Sequence, residues 1–351
     1  MNKITVFTKK ITSYRLFLPI FCLVLVLFSN LIKTPGFFEV TIKNGVLYGY
    51  IIDVINRASD LVILSVGMTL VVAASGGTDI SVGAVMSVAG AACCYILAGG
   101  QQTVNAFQNP YIVGVLAAII VGILCGCFNG FLVAKLNIQP MVATLILFTA
   151  GRGIAQLFTK GQITYIRVDS YKMLGASIPG IPIPTPVFVA LFVVLLTYLL
   201  LKKTTLGVYL QTVGINAKAS RLMGIKATWI IFLSYVFCGL CAGISGLVAS
   251  SRIYSADANN IGLNLELDAI LAVALGGNSL AGGKFSLLGS VIGAYTIQAL
   301  STTLYAMGVS PDQIPVYKAI VVIVIVALQS PELKKMGNKL LASREAGKKV
   351  A

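Results

Sequence analysis

Residues 75–84 read Ser-Gly-Gly-Thr-Asp-Ile-Ser-Val-Gly-Ala and interrupt a long apolar stretch. Asp79 is the only acidic residue between Leu61 and Lys160. A carboxylate within a membrane helix costs about 2.5–3.5 kcal/mol on insertion scales and is by default a functional candidate. A second glycine-rich interruption, Leu275–Lys284, lies late in the chain. Paired helix interruptions in the two halves of a membrane protein indicate a transport path.

The composition is that of a membrane protein. Of the 351 residues, 57% are hydrophobic and 11% are charged, whereas soluble domains carry about 25% charged residues. Apolar stretches near the ~20 residues that cross a bilayer recur along the whole chain. They predict an all-α, polytopic protein with about ten transmembrane helices, some short or broken, at 15–32, 60–76, 81–98, 111–134, 140–158, 187–201, 228–249, 266–277, 285–307 and 315–330.

The span boundaries are not fixed by the sequence at two stretches. Residues 266–277 are short for a full crossing and predict a re-entrant or broken helix. Residues 45–58, between the first two spans, predict a short interfacial helix.

The Lys and Arg residues concentrate in 1–15, 202–226 and 331–351. The positive-inside rule places these segments in the cytoplasm, which an even number of spans allows. The predicted organisation is a cytoplasmic tail at 1–14, one transmembrane domain at 15–330 with a cytoplasmic loop at 202–227, and a basic cytoplasmic tail at 331–351. The net charge of +15 follows from these loops. We therefore expect no nucleic-acid partner, since no basic face of a soluble fold is indicated.

Several kinds of chemistry are excluded by absent motifs. The sequence has no histidine, and its seven cysteines all lie in apolar spans. Cys238 and Cys241 have CxxC spacing but are interpreted as small residues at a helix contact. The run Gly277–Lys284 resembles a phosphate-binding loop, but its spacing fails and no Ser or Thr follows Lys284. We expect no metal site, no catalysis and no cofactor on this chain, with ATP and Mg²⁺ bound by a partner.

Gly122, Gly126 and Gly130 form a GxxxG ladder, and Gly239 with Gly243 repeats the spacing. Such ladders allow membrane helices to pack closely. The alternative is that this face dimerises with a second chain.

The cytoplasmic loop carries a family resemblance. Asn216 is a plausible N-cap and Gly224 a stop for a short basic helix between them. The loop resembles the G-x-N-x-x-A-x-x-x-G-I pattern of permease subunits of bacterial sugar importers of the ATP-binding-cassette (ABC) class, a group that includes ribose, xylose and galactofuranose permeases. The residues that match are Gly214, Asn216, Ala219, Gly224 and Ile225, with Arg221 at a common basic position and Thr204, Gly207 and Tyr209 before them.

The resemblance extends over nearly the whole chain. Ser75–Gly83 is similar to the family's S/T-G-G-I-D-L-S-V-G motif, and Pro140–Leu145 with Arg152 and Gly153 to its fifth span. Glu266–Lys284 is similar to its D-A-I-A-A-V-x-L-G-G-T-S-L-x-G-G block. Several independent motifs in the right order make the match specific.

The resemblance implies a multi-pass permease in a bacterial cytoplasmic membrane, surrounded by lipid, that translocates a monosaccharide. Its implied partners are an ATPase subunit docked on the 202–227 loop, a second permease chain and an extracytoplasmic sugar-binding protein that meets the regions 99–110 and 159–186. The coupling-loop candidates are Gly207, Gly214, Asn216, Ala219, Arg221, Gly224 and Ile225. The candidates for the translocation path or gate are Gly76, Gly77, Asp79, Ser81, Asn129, Gly276, Gly277, Asn278 and Ser279.

Alternatives stay open at this point. Asp79 either organises the start of the third span or contacts sugar, and the first interpretation is favoured. Arg152 is expected to play a structural role, paired with a carboxylate or a helix C-terminus. An ion-coupled secondary transporter is the alternative function, but it needs coupling acids in both halves, and the second interruption holds none. A membrane-embedded enzyme is disfavoured by the lack of histidine and of a convergent acid cluster.

Overall fold

The computed structural model describes residues 16–43 and 45–329. The chain is mostly helical. The helices are α1 (Phe17–Lys33), α2 (Tyr50–Ser75), α3 (Val82–Leu97), α4 (Tyr111–Gly130), α5 (Pro140–Thr159), α6 (Asp169–Lys172), α7 (Thr185–Lys203), α8 (Leu206–Ile215), α9 (Ala217–Leu222), α10 (Ala227–Arg252), α11 (Leu265–Leu275), α12 (Leu287–Ala306) and α13 (Ile314–Gln329). The strands are β1 (Thr41–Lys43), β2 (Val46–Tyr48), β3 (Thr103–Val104), β4 (Thr164–Ile166) and β5 (Ser255–Ala256).

Each predicted span overlaps one of these helices. Six helices of the described residues are long and apolar enough to cross a membrane: α2, α5, α7, α10, α12, and α4 with the π-helical turn Phe131–Lys135 that extends it. These six establish a polytopic membrane protein, while the count of ten spans stays a prediction. The tails 1–14 and 331–351 lie outside the described residues.

The interfacial helix predicted at 45–58 is wrong. Strands β1 and β2 form an antiparallel hairpin there, with Ile42 opposite Leu47. Helix α2 then begins at Tyr50 and continues without a break to Ser75. No proline or glycine interrupts the polar first turns that contain Asp53 and Arg57, so they belong to the same helix as the apolar span. The short helix predicted at 266–277 is confirmed, since α11 has 11 residues.

Helix α2 is the centre of the fold. In its most apolar stretch 94% of the residues are buried, against 22% in α4 and in α7. Gly67 packs on Cys238 and Cys241 of α10, so these two thiols, both free and buried, serve as small residues at a helix contact. At the last residue of α10, the partly buried Arg252 forms an ion pair with the buried Asp60 of α2.

The glycine ladder holds α4 against α10. A Cβ on Gly122 would lie 2.5 Å from the Gly239 carbonyl oxygen, and one on Gly126 would lie 2.5 Å from that of Tyr235. Both glycine series therefore face each other within one chain. The alternative that the ladder dimerises with a second chain is wrong, because α10 already occupies this face.

A small three-stranded sheet joins the connections at the far ends of α3, α5 and α10. Strand β4 pairs in parallel with β3 and antiparallel with β5. Tyr171 lies beneath it, fully buried, with its hydroxyl 2.7 Å from Ser250 Oγ. Backbone hydrogen bonds therefore tie these three connections together.

Substitution of Gly239 by alanine is expected to lower the free energy of unfolding by about 1–3 kcal/mol, the usual cost of overpacking. The new Cβ would lie 2.7 Å from the Gly126 nitrogen. Thermal unfolding in detergent measures the effect. Gly153→Ala is the matched control, since no atom lies within 4 Å of a Cβ at that helical glycine, and equal melting temperatures for the two variants would contradict the close packing.

Candidate functional site

Residues 76–81 interrupt the helical structure between α2 and α3, and we call them the first break. Hydrogen bonds between polar side chains hold this segment together. Gly76 takes the left-handed conformation (φ 62°) and ends α2. Asp79 is 2% exposed. Its Oδ1 accepts hydrogen bonds from the Ser81 amide at 2.9 Å and the Ser81 hydroxyl at 2.6 Å. Asn129 of α4 donates to Asp79 Oδ2 at 3.3 Å and to Ser81 Oγ at 2.8 Å.

Both oxygens of the Asp79 carboxylate thus have hydrogen-bond donors within the chain. It binds the amide that directly precedes α3 and attaches that end of α3 to α4. This geometry matches the interpretation that Asp79 organises helices and leaves no free oxygen directed at a solute. Its part in transport stays a prediction.

The second break, residues 276–286, is organised by Asn278. Its Nδ2 donates to the Val273 carbonyl at 3.0 Å and to Ser290 Oγ at 2.7 Å, while its Oδ1 accepts from the Ser286 amide at 2.6 Å. One amide therefore joins the end of α11 to the start of α12. Gly276 lies directly against Gly289, whereas Gly277 and Ser279 are exposed.

Both breaks pack against α2. The Asp79 amide faces Met68 Sδ at 3.4 Å, and Ser290 Oγ lies 2.6 Å from the hydroxyl of the neighbouring Thr69. Near the C-terminal end of α2 the two breaks contact each other directly. A Cβ on Gly76 would lie 2.8 Å from the Ala281 carbonyl oxygen, and the Gly283 amide donates to the Ala73 carbonyl at 3.0 Å.

The 202–227 loop reaches this junction. It folds into α8 and α9, and Gly207 lies close to the Leu201 carbonyl. Near the end of α8, Gly214 packs on Ala73 and Gly283, so that a Cβ there would lie 2.6 Å from the Gly283 nitrogen and closer still to the Ala73 carbonyl. A single glycine of the loop therefore contacts the end of α2 and the second break together.

The predicted short helix in this loop is confirmed. Asn216 Oδ1 accepts the Ala219 amide at 3.0 Å and caps α9. Gly224 (φ 81°) stops it, and the Ile225 amide returns to the Ser220 carbonyl at 3.0 Å. Arg221 is exposed beside two residues that the sequence reasoning missed, Leu222 (90% exposed) and Met223 (68%).

Arg152 of α5 binds different partners from those expected. Its Nη1 donates to the carbonyls of Ala258 at 3.1 Å, Asn259 at 2.9 Å and Ile261 at 3.1 Å. Through this one nitrogen the guanidinium holds an irregular segment in place, while Nη2 has no hydrogen-bond partner among the described residues. The prediction that Arg152 pairs with a carboxylate or a helix C-terminus is therefore wrong.

Within the residues that the structure describes, no group of three or more His, Cys, Asp or Glu residues is placed to hold a metal ion.

The junction of breaks and loop can be compared with known proteins. Residues 50–328 match the family described as "Branched-chain amino acid transport system / permease component". The chain belongs to this permease family. Its matched region includes both breaks and the 202–227 loop. Members of the family are transport components, so the permease is at the family level not an enzyme, and it is a multi-pass protein of the cytoplasmic membrane.

Curated relatives of the permease include several sugar permeases. The galactofuranose transporter permease protein YtfT of Escherichia coli (strain K12) is 46% identical over 308 residues, 88% of this chain and 87% of the relative. The fructose import permease FruF of Bifidobacterium longum is 37% identical over 347 residues, 96% and 94% of the two chains. The ribose import permease RbsC of E. coli (strain K12) is 35% identical over 301 residues, 85% and 88%. No solved structure matches the permease.

Asp79→Ala is expected to lower the free energy of unfolding by about 1–3 kcal/mol, because the donors of Ser81 and Asn129 lose their buried acceptor. Thermal unfolding in detergent measures this effect. Asp312→Ala, at an exposed position, is the control and should leave the melting temperature unchanged. An Asp79→Ala protein as stable as the wild type would contradict the organising role.

Proposed function

We propose that the permease is the membrane subunit of an importer that moves a monosaccharide into the cell. Its family and the sugar import permeases among its relatives support the ABC class. The ion-coupled alternative is disfavoured because the second break holds the neutral Asn278 and no acidic residue. The sugar class follows from the names of the relatives, which are ribose, fructose and galactofuranose permeases.

The observation that supports the coupling mechanism is the position of Gly214. The ATPase subunit, which binds ATP and Mg²⁺, docks on the exposed tip of the loop at Arg221, Leu222 and Met223. A displacement of this tip passes through α8 to Gly214 and from there to the end of α2 and the second break. Because each break joins the ends of two helices, the helices change their tilt between outward and inward access. The loop is then the element that both nucleotide and substrate bias.

The remaining partners and the topology complete this proposal. Both termini and the 202–227 loop lie in the cytoplasm, with ten spans between the tails. A second permease chain lies beside this one, and the path runs between them. An extracytoplasmic sugar-binding protein meets the opposite face, at the segments that the small sheet of β3, β4 and β5 joins.

Reversal of the charge at the loop tip tests the docking. Arg221→Glu is expected to reduce the ATPase activity of the reconstituted importer and its sugar uptake at least tenfold. Lys203→Glu makes the same charge change at an exposed residue outside the tip and should retain both activities. The assay uses proteoliposomes with the full importer. Full activity of Arg221→Glu would show that the ATPase docks elsewhere.

A change at Gly214 separates docking from coupling. Gly214→Ala places a Cβ into the contact with Ala73 and Gly283. We expect the ATPase still to bind, as measured by co-purification, while uptake per ATP hydrolysed falls at least threefold. Unchanged uptake per ATP would remove Gly214 from the coupling path.

A further inference from the structure

Helix α5 presents polar groups where a membrane helix normally meets lipid. In the most apolar stretch of α5 only 28% of the residues are buried. Ile154 lies on one side of its exposed surface, whereas Thr149, Arg152 and Gln156 follow at helical spacing on the other. The Thr149 hydroxyl is satisfied by carbonyls of its own helix, but Arg and Gln side chains within a membrane helix are costly against hydrocarbon and normally face water or protein. This side of α5 is therefore not a lipid face.

The irregular segment 257–264 lies along the same side. Arg152 binds its carbonyls as described above, and Gln156 Nε2 donates to Asn259 Oδ1 at 2.7 Å. At its far end Gly262 packs on Gly83 in the first turn of α3, where a Cβ would lie 3.0 Å from the Gly83 Cα. The segment thus leads from the outer half of α5 towards the first break.

Amide groups with free hydrogen-bonding capacity line this segment. Asn259, Asn260 and Asn264 are all exposed. Asn260 is bound to Asp257 Oδ2 at 2.7 Å. By contrast, Asn259 Nδ2 and the Asn264 side chain have no hydrogen-bond partner within residues 16–43 and 45–329. Asn264 is held at a left-handed φ of 63° at the start of α11, which fixes its position.

The chemistry of these groups matches a neutral polyol. A carboxamide offers two donors and an acceptor without charge, and a sugar hydroxyl needs both a donor and an acceptor. An ion would require charge, and an apolar solute would leave the amides unpaired. We propose that Gln156, Asn259 and Asn264 form an amide strip that binds the hydroxyls of the sugar as it passes along the translocation path. This assignment rests on the proposed function.

Cysteine accessibility tests whether the strip faces water. In the full importer in proteoliposomes, Asn264→Cys is expected to react with a membrane-impermeant methanethiosulfonate at least about tenfold faster than Ile154→Cys, because the reactive thiolate forms in water and not in lipid. The unmodified chain, with its seven native cysteines, gives the background. Equal rates for the two variants would overturn the strip as an aqueous surface.

Uptake tests whether the strip binds sugar. Radiolabelled ribose, fructose and galactose are the probes. Loss of one hydrogen bond of ~1 kcal/mol corresponds to about a fivefold rise in KM, which we expect for Gln156→Leu and for Asn264→Leu with little change in maximal rate. Gln298→Leu changes the same residue type within α12, away from the strip, and should keep the wild-type KM.

The outcomes distinguish the two proposals. If the wild-type importer takes up none of the three sugars, the assignment to these sugars fails whatever the variants do. If it takes up one of them while Gln156→Leu and Asn264→Leu keep the wild-type KM, the amide strip is wrong and the permease function stands. Should Gln156→Leu fail to fold, Asn264→Leu and the labelling of Asn264→Cys decide the matter.

Discussion

Backbone amides and carbonyls within a bilayer need partners from the protein itself, because hydrocarbon provides none. This constraint governs the two breaks, where the helical ladder stops and peptide groups lose their usual partners. At the first break the Asp79 carboxylate binds the Ser81 amide, and at the second Asn278 binds both a carbonyl and an amide. Each interruption thereby becomes a defined joint between two helices.

The two breaks contact each other and the 202–227 loop near the end of α2, where their backbones approach closely. Glycine at Gly76, Gly214 and Gly283 lets three chain segments touch through main-chain atoms. Side chains in this place would separate the segments and replace a rigid contact by a flexible one. A loop outside the bilayer can therefore act on helices inside it through a few direct contacts.

The charged side chains between the helices also have partners within the protein. Asp60 is paired with Arg252, Asp268 with Lys318 at 2.7 Å, and Arg152 is bound by three carbonyls. Each of these charges has its partner within the protein, as burial of an ion requires. The exposed amides beside Arg152 contrast with them, because their hydrogen-bonding groups are left for something other than the chain itself.

The sequence by itself determined the class of the protein, its helices, the capped helix at Asn216 and the two breaks, because hydropathy and glycine spacing are local properties. It misplaced the start of α2, since polar first turns resemble an interfacial helix until their continuity is seen. Only the tertiary structure decided that Asp79 is hydrogen-bonded by Ser81 and Asn129, that Arg152 binds carbonyls, and that Gly214 joins the end of α2 to the second break. Those contacts link residues far apart in the chain. Their geometry depends on how the helices pack around α2, and a local sequence pattern carries no information about that packing.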